Sequence, residues 1–238
     1  MERVTCVYCR SAPGNTIDHV FPESWYPDTT PAGIPKTKVP SCLACNQRWS
    51  RIEEAFAQEW LLVLDGTRPE VGGAAERLTR AWKPQTAKNA KDEKIRRDKS
   101  RKIARTMRWL EPVRGAPVAT LRTPSGLYVR ASPQRVIQPE LRRGIAEKFI
   151  RGFHFAETGE AAPDFALECI SRSDAALART PSLQTILSVM VIKEHLAPGL
   201  LYGWFNGPDD AWWAFRIWGQ LNLFAKAAPA PQTTPLRR

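Results

Sequence analysis

Apolar and polar residues change their rhythm several times along this chain, and each change marks a different kind of structure. Residues 1–45 carry no sustained apolar period, and turn formers interrupt them at Pro13-Gly14-Asn15, Pro22, Pro27, Pro31, Gly33, Pro35 and Pro40. Such a stretch holds too little apolar surface to fold without a staple. From Asn46 onward the spacing turns to threes and fours. Trp49, Ile52, Phe56, Trp60 and Val63 fall on one face of a helix, which Asp65-Gly66 ends. A second helix is predicted over residues 70–82, weakened by Gly72-Gly73. Residues 83–109 have few apolar positions and read as an exposed helix or helical linker. Residues 118–131 read as a hairpin turning at Pro124-Ser125-Gly126, and residues 134–155 as a helix interrupted by Pro139 and ending near Gly152. Within residues 200–224, Trp213, Phe215 and Ile217 alternate with Ala214 and Arg216. That alternation predicts strands joined at Asn206-Gly207-Pro208-Asp209, with the aromatic rings as the core of a sheet.

The predicted class is α+β. A small stapled N-terminal module (1–66) is followed by a helical, strongly basic connector (67–112). A C-terminal α+β region with antiparallel strands (113–226) and a disordered tail (227–238) complete the chain. Composition adds a partner. Hydrophobic residues make up 43% and charged residues 25%, as in soluble globular proteins. The N-terminus has no apolar core of signal-peptide type and no apolar run is long enough to span a bilayer, so a cytoplasmic protein without a membrane partner is expected. The formal charge is +11, which favours a polyanion, nucleic acid first. Much of the excess lies in residues 83–109, where eleven basic residues face three acidic ones. Arg96, Arg97, Arg101 and Lys102 are the candidate phosphate contacts there; a solvated connector is the alternative reading of the same run.

Candidate chemistry sits in the first fifth of the sequence. Cys6-Val7-Tyr8-Cys9 and Cys42-Leu43-Ala44-Cys45 are two C-x-x-C pairs. In a reducing compartment such pairs read as metal ligands, and two of them supply the four thiolates of a tetrahedral zinc site. A rubredoxin-like iron centre uses the same pairs and is the rival. Cys169 reads as a buried structural thiol. Between the pairs lies "TIDHVFPESW", in which Asp18 and His19 are adjacent and would point to opposite faces of a strand.

The ordered set "CVYC", "TIDHVFPESW" and "VPSCLACNQRWSRIEEAF" resembles the zinc-containing branch of the HNH endonucleases, which have the ββα-metal fold. The resemblance covers roughly residues 4–60. Less specifically, Arg151-Gly152-Phe153 is similar to an accessory segment of bacterial members. The resemblance implies a metal-dependent endonuclease with a structural Zn²⁺ on Cys6, Cys9, Cys42 and Cys45, a catalytic Mg²⁺ or Mn²⁺, and no small-molecule cofactor. Asp18 would bind the catalytic ion, Asn46 at the helix start would support it, and His19 would be the general base that activates water. Arg48 would contact phosphate, and DNA is the expected substrate. Histidine suits the base role because it is the side chain that titrates near neutral pH. The sequence departs from the pattern where members carry a further ligand about one turn after the asparagine: Trp49 stands there. Glu53 and Glu54, further along, read as a solvated helix face, with a supporting place behind the metal ligands as the alternative for Glu53. A zinc-stabilised nucleic-acid-binding protein without catalysis is the alternative function.

Overall fold

In the computed structural model, residues 4–60, 64–66, 68–108, 119–122, 128–131, 138–172, 179–194, 199–207 and 210–229 are described. The chain is a mixture of helices and antiparallel strands, with its four N-terminal cysteines gathered into one cluster. Strand β1 (Thr16–His19) pairs antiparallel with β2 (Lys38–Ser41), so that Asp18 faces Val39 and His19 faces Lys38. Residues opposite each other share a face of the sheet. One face is accordingly buried, with Asp18, Val39 and Ser41, and the other carries exposed Ile17.

Helix α1 (Leu43–Trp60) follows directly. It starts three residues earlier than the apolar period indicates, because Cys42 does the capping. The Cys42 thiol accepts the Cys45 N–H at 3.4 Å, and its carbonyl accepts the Asn46 N–H at 3.0 Å. Asn46 therefore lies inside the first turn rather than at the helix start. Helix α2 (Ala74–Arg80) is shorter than expected, since Gly73 takes a φ of 72° in front of it and so belongs to the turn. The basic run forms α3 (Ala90–Arg108) after a 3-10 turn at Pro84–Thr86. Strands β3 (Ala119–Arg122) and β4 (Tyr128–Ala131) make the expected antiparallel pair, and the turn assigned to 124–126 lies outside the described residues.

Helix α4 (Pro139–Thr158) is the centre of the molecule. Pro139 opens it instead of interrupting it, because a proline at the first position has no orphan N–H to leave unpaired. It does not stop near Gly152; Gly159, at φ 76°, closes it. Gly152 serves packing instead. A Cβ there would stand 2.6 Å from both methyl groups of Val20, so the missing side chain is what lets α4 lie against the chain leaving β1. Gly152→Ala should lower stability by about 1–3 kcal/mol, the usual cost of overpacking. The urea midpoint of metal-loaded protein would fall, and Val20→Ala in the same chain should restore much of it. An unchanged midpoint for Gly152→Ala would show that Val20 has room to move.

The other side of α4 packs on a five-stranded antiparallel sheet in the order β5-β9-β8-β7-β6. Its strands are β5 (Phe165–Arg172), β6 (Val191–Glu194), β7 (Leu200–Asn206), β8 (Ala211–Ile217) and β9 (Leu221–Pro229). Phe149 meets Phe215 at 5.3 Å, and Phe153 stacks on Tyr202 at 4.1 Å. Trp213, Phe215 and Ile217 are buried, as their alternation indicates. Helix α5 (Pro181–Val189) covers the opposite face, with Leu183 near Ala214 and Phe224. Ala227, Ala228 and Pro229 of β9 pair with β5, so they are strand and not the expected tail; residues 230–238 lie outside the described set. One cluster of buried side chains runs from Cys6 through Trp25, Phe56 and Phe149 to Ala227, joining the segments distinguished in the sequence. Trp218 ties its ends together by donating its indole N–H to the Trp25 carbonyl at 2.8 Å. No described helix is long and apolar enough to cross a membrane.

Candidate metal centre and charged site

The first cysteine pair sits on a tight reversal. The Arg10 N–H reaches the Cys6 carbonyl at 2.8 Å with Arg10 at φ 57°, and the Cys6 N–H reaches the Ala12 carbonyl at 2.8 Å. The reversal is pinned to β2 by the Val7 N–H on the Pro40 carbonyl at 3.0 Å. This brings the first pair onto the second, at the start of α1. The four thiol sulfurs all lie within 4.8 Å of one another, and the Cys9 and Cys42 sulfurs are 3.9 Å apart. A disulfide requires ~2.05 Å. Four thiolates at ~2.3 Å from one tetrahedral ion stand about 3.8 Å from each other. The cluster is thus dimensioned for a single thiophilic ion such as zinc. Hydrogen bonds from Ser11 pull the Cys9 thiol down to about 6, while burial pushes Cys45 upward. Cys169 is remote on β5, where burial pushes its thiol up to about 11, as suits a structural thiol.

Beside the cluster is a second polar group, reaching from β1 to α4. Asp18 is buried; its Oδ2 accepts the Tyr8 hydroxyl at 2.5 Å and lies 3.0 Å from Lys148 Nζ. The Lys148 side chain has 0% exposure. Its ammonium also donates to the His19 carbonyl oxygen at 2.6 Å and pairs with Glu53 of α1. All three ammonium donors are therefore directed at oxygens. Burial raises the Glu53 pKa against the opposing pull of Lys148. Burial, and then the Asp18 carboxylate, raise that of Tyr8, which stays a hydroxyl donor. The expectation that Glu53 belongs to a solvated face is overturned: its side chain is 16% exposed and engaged. Glu54 is closer to that expectation, half-exposed and paired with Lys99 at 3.0 Å. Glu53 also lines an open groove of about 740 Å³ with Glu23, Tyr26, Lys36 and Arg77.

His19 turns to the other face of β1. Its Nε2 is closed off from solvent without a hydrogen-bond partner among the described residues. Burial lowers its pKa, and Lys38 and Lys36 add to the effect against Glu23 and Asp18. The imidazole is thus neutral near pH 7, the form a base requires. Asn46 donates its amide N–H to Thr16 Oγ1 and to the Ile17 carbonyl, both at 3.3 Å. Its contacts are with β1 upstream of Asp18, and those of Asp18 are with Tyr8 and Lys148. Trp49 is buried against Tyr8, with ring centroids 5.4 Å apart, and packs the first cysteine pair onto α1. Arg48 lies over the Trp49 ring at 4.5 Å, its side chain 58% exposed.

The basic helix divides in two. Arg96 is not free for phosphate: its guanidinium bonds to Asp92 at 2.9 Å and to the Arg80 carbonyl and Thr86 hydroxyl, each at 2.6 Å. It fastens α3 to the preceding turn, an internal duty that the charge run does not reveal. Arg97 and Arg101 are exposed and pair along the helix with Glu93 and Asp98. Such pairs contribute about 0–1 kcal/mol and exchange readily for phosphate. Lys102 is exposed and forms no ion pair among the described residues. Sequence reasoning missed Lys148 and Tyr8 as members of the site and set Glu53 on a solvated face. The one available signal was Lys148, a charge set among Ile145, Phe149 and Gly152 on an apolar helix face. Comparison with protein-family models, curated proteins and solved structures gives no match.

Proposed function

We propose that the chain is a zinc-stapled, metal-dependent endonuclease of the HNH kind acting on nucleic acid, with DNA the first substrate to test. The observation that supports it is the placement of Asp18 and His19 at the end of β1. They lie in a strand–strand–helix unit whose base is formed by the four thiols. Asp18 faces inward, and the neutral, half-buried His19 imidazole turns to the opposite face of β1 with its Nε2 closed off from solvent. His19 takes the proton of the attacking water. Asp18, Glu53 and the His19 carbonyl offer the hard oxygens that Mg²⁺ or Mn²⁺ requires, at a point where Lys148 Nζ now stands. A divalent ion bound there would stabilise charge on the phosphate and the leaving oxygen. Incubation of zinc-loaded protein with supercoiled plasmid and Mg²⁺ tests this, with nicked or linear product expected.

A second reading is favoured by the engagement of Asp18 with Lys148 and the burial of Trp49 at the further ligand position. It is binding without cleavage, and a gel shift without product in the same assay would decide for it. Both readings give α3 the same task. Replacing Arg97, Arg101 and Lys102 with glutamine should flatten the salt dependence of DNA binding, by roughly one unit of slope for each phosphate that is no longer neutralised. Arg96→Gln should lower stability and leave the slope alone. A triple variant with the parental slope would make α3 a solvated strut.

A further inference from the structure

The surroundings of Lys148 are those of a bound cation. Two carboxylates and a backbone carbonyl converge on its Nζ: Asp18 Oδ2 at 3.0 Å, the His19 oxygen at 2.6 Å, and Glu53. Three oxygens of these types are the ligand chemistry of a hard divalent ion. An ammonium brings one positive charge to two acids, and a divalent ion would balance both. Of the three, Glu53 also lines the open groove, so one side of the seat borders solvent. The lysine arrives from α4, a different part of the chain, on a flexible four-carbon stem.

We propose that Lys148 is a built-in competitor for the cation seat. Its ammonium and a divalent ion are alternative occupants of the oxygens supplied by Asp18, Glu53 and the His19 carbonyl, and the lysine thereby sets the affinity of the site. The inference rests on reading Asp18 as a metal ligand. The two cations exclude each other, because a dication in contact with the same oxygens would face the ammonium at close range in a poorly screened interior. Binding of Mg²⁺ or Mn²⁺ then requires Lys148 to swing out, and this weakens the site relative to one without the lysine. A purely structural lysine would instead make its removal costly to the fold with no gain in metal binding.

The test is a Mn²⁺ titration of zinc-loaded protein followed by electron paramagnetic resonance, which needs no catalysis. Lys148→Met keeps the volume of the stem and removes the charge. It should bind one Mn²⁺ at least about ten-fold more tightly than the parent, a small share of the repulsion removed. Adding Asp18→Asn or Glu53→Gln to that variant should abolish the gain. A folded Lys148→Met protein, with full zinc content, that binds Mn²⁺ no better than the parent overturns the proposal. Amine labelling of the parent protein, read by peptide mass spectrometry, covers the case in which the variant does not fold. Mn²⁺ should increase labelling of Lys148 as it leaves the cage, and unchanged labelling at saturating Mn²⁺ also overturns it. Absence of plasmid cleavage would count against the nuclease reading alone, since both readouts report binding.

Discussion

Cys42→Ser should empty the thiolate cluster and unfold the N-terminal quarter of the protein. The parent should carry one zinc per chain, measured by native mass spectrometry, and the variant none. Apart from the packing of Phe21 and Trp25 on α4 and the Asp18–Lys148 pair, little else holds this region. β1 and β2 have four residues each, and the reversal bearing Cys6 and Cys9 is joined to β2 through Val7. In comparable small modules zinc supplies an apparent ~10–16 kcal/mol of folding free energy. Whole domains are stable by only ~5–15 kcal/mol, so nothing in 4–42 can offset the loss. Serine at 42 can still accept the Cys45 N–H that caps α1, so the loss reports the metal site rather than the cap. The disorder should extend into α1, whose Trp49 leans on Tyr8 of the first pair. The sheet and α4 should survive as a compact remnant, seen by limited proteolysis as a protected C-terminal fragment. A variant that keeps one metal ion and its melting temperature would remove the cluster from the fold's foundations, and a coloured parent protein would point to iron.

What the sequence made legible was local. Two cysteine pairs, each closed over two intervening residues, announced a metal cluster, and the thiols do converge. Alternation at Trp213, Phe215 and Ile217 announced a buried strand, and threes and fours announced α1. What stayed hidden depends on partners far along the chain. Glu53 looks like one more acid on a wet helix until Lys148, 95 residues later, is laid against it. Arg96 looks like its basic neighbours until the Arg80 carbonyl and Thr86 turn out to surround it. Gly152 looks like a helix stop because glycine usually is one, and only the methyl groups of Val20 explain why it sits within α4. The shared reason is that a buried charge or a close approach needs a second segment, and periodicity in the first carries no record of it.

His19→Ala should slow plasmid cleavage by ~10²–10⁴-fold, the usual cost of losing a general base. It is the cleanest of the site substitutions. The His19 side chain makes no hydrogen bond among the described residues, and the bond that Lys148 does make is to the backbone oxygen, which alanine keeps. Zinc content, melting temperature and DNA affinity should therefore stay near parental values while the rate collapses. Asp18→Ala would be harder to read. It strips Lys148 and Tyr8 of an acceptor, and a buried donor left without one costs about 1–3 kcal/mol even with Glu53 still balancing the lysine. Asp18→Asn keeps the shape, and its defect should be partly rescued by raised Mn²⁺. Asn46→Ala loses the bonds to Thr16 and Ile17 instead, and should lower stability without a defect that Mn²⁺ rescues. The pH profile adds an independent check on the base. Burial disfavours the charged imidazole, so His19 loses its proton below the ordinary value of 6.5. Cleavage should accordingly hold as pH drops to that value and decline only beneath it, and the decline should vanish in His19→Ala. Cleavage by His19→Ala at the parental rate, in a preparation shown free of contaminating nuclease, would dismiss His19 as the base, since the attacking water would then lose its proton to another group.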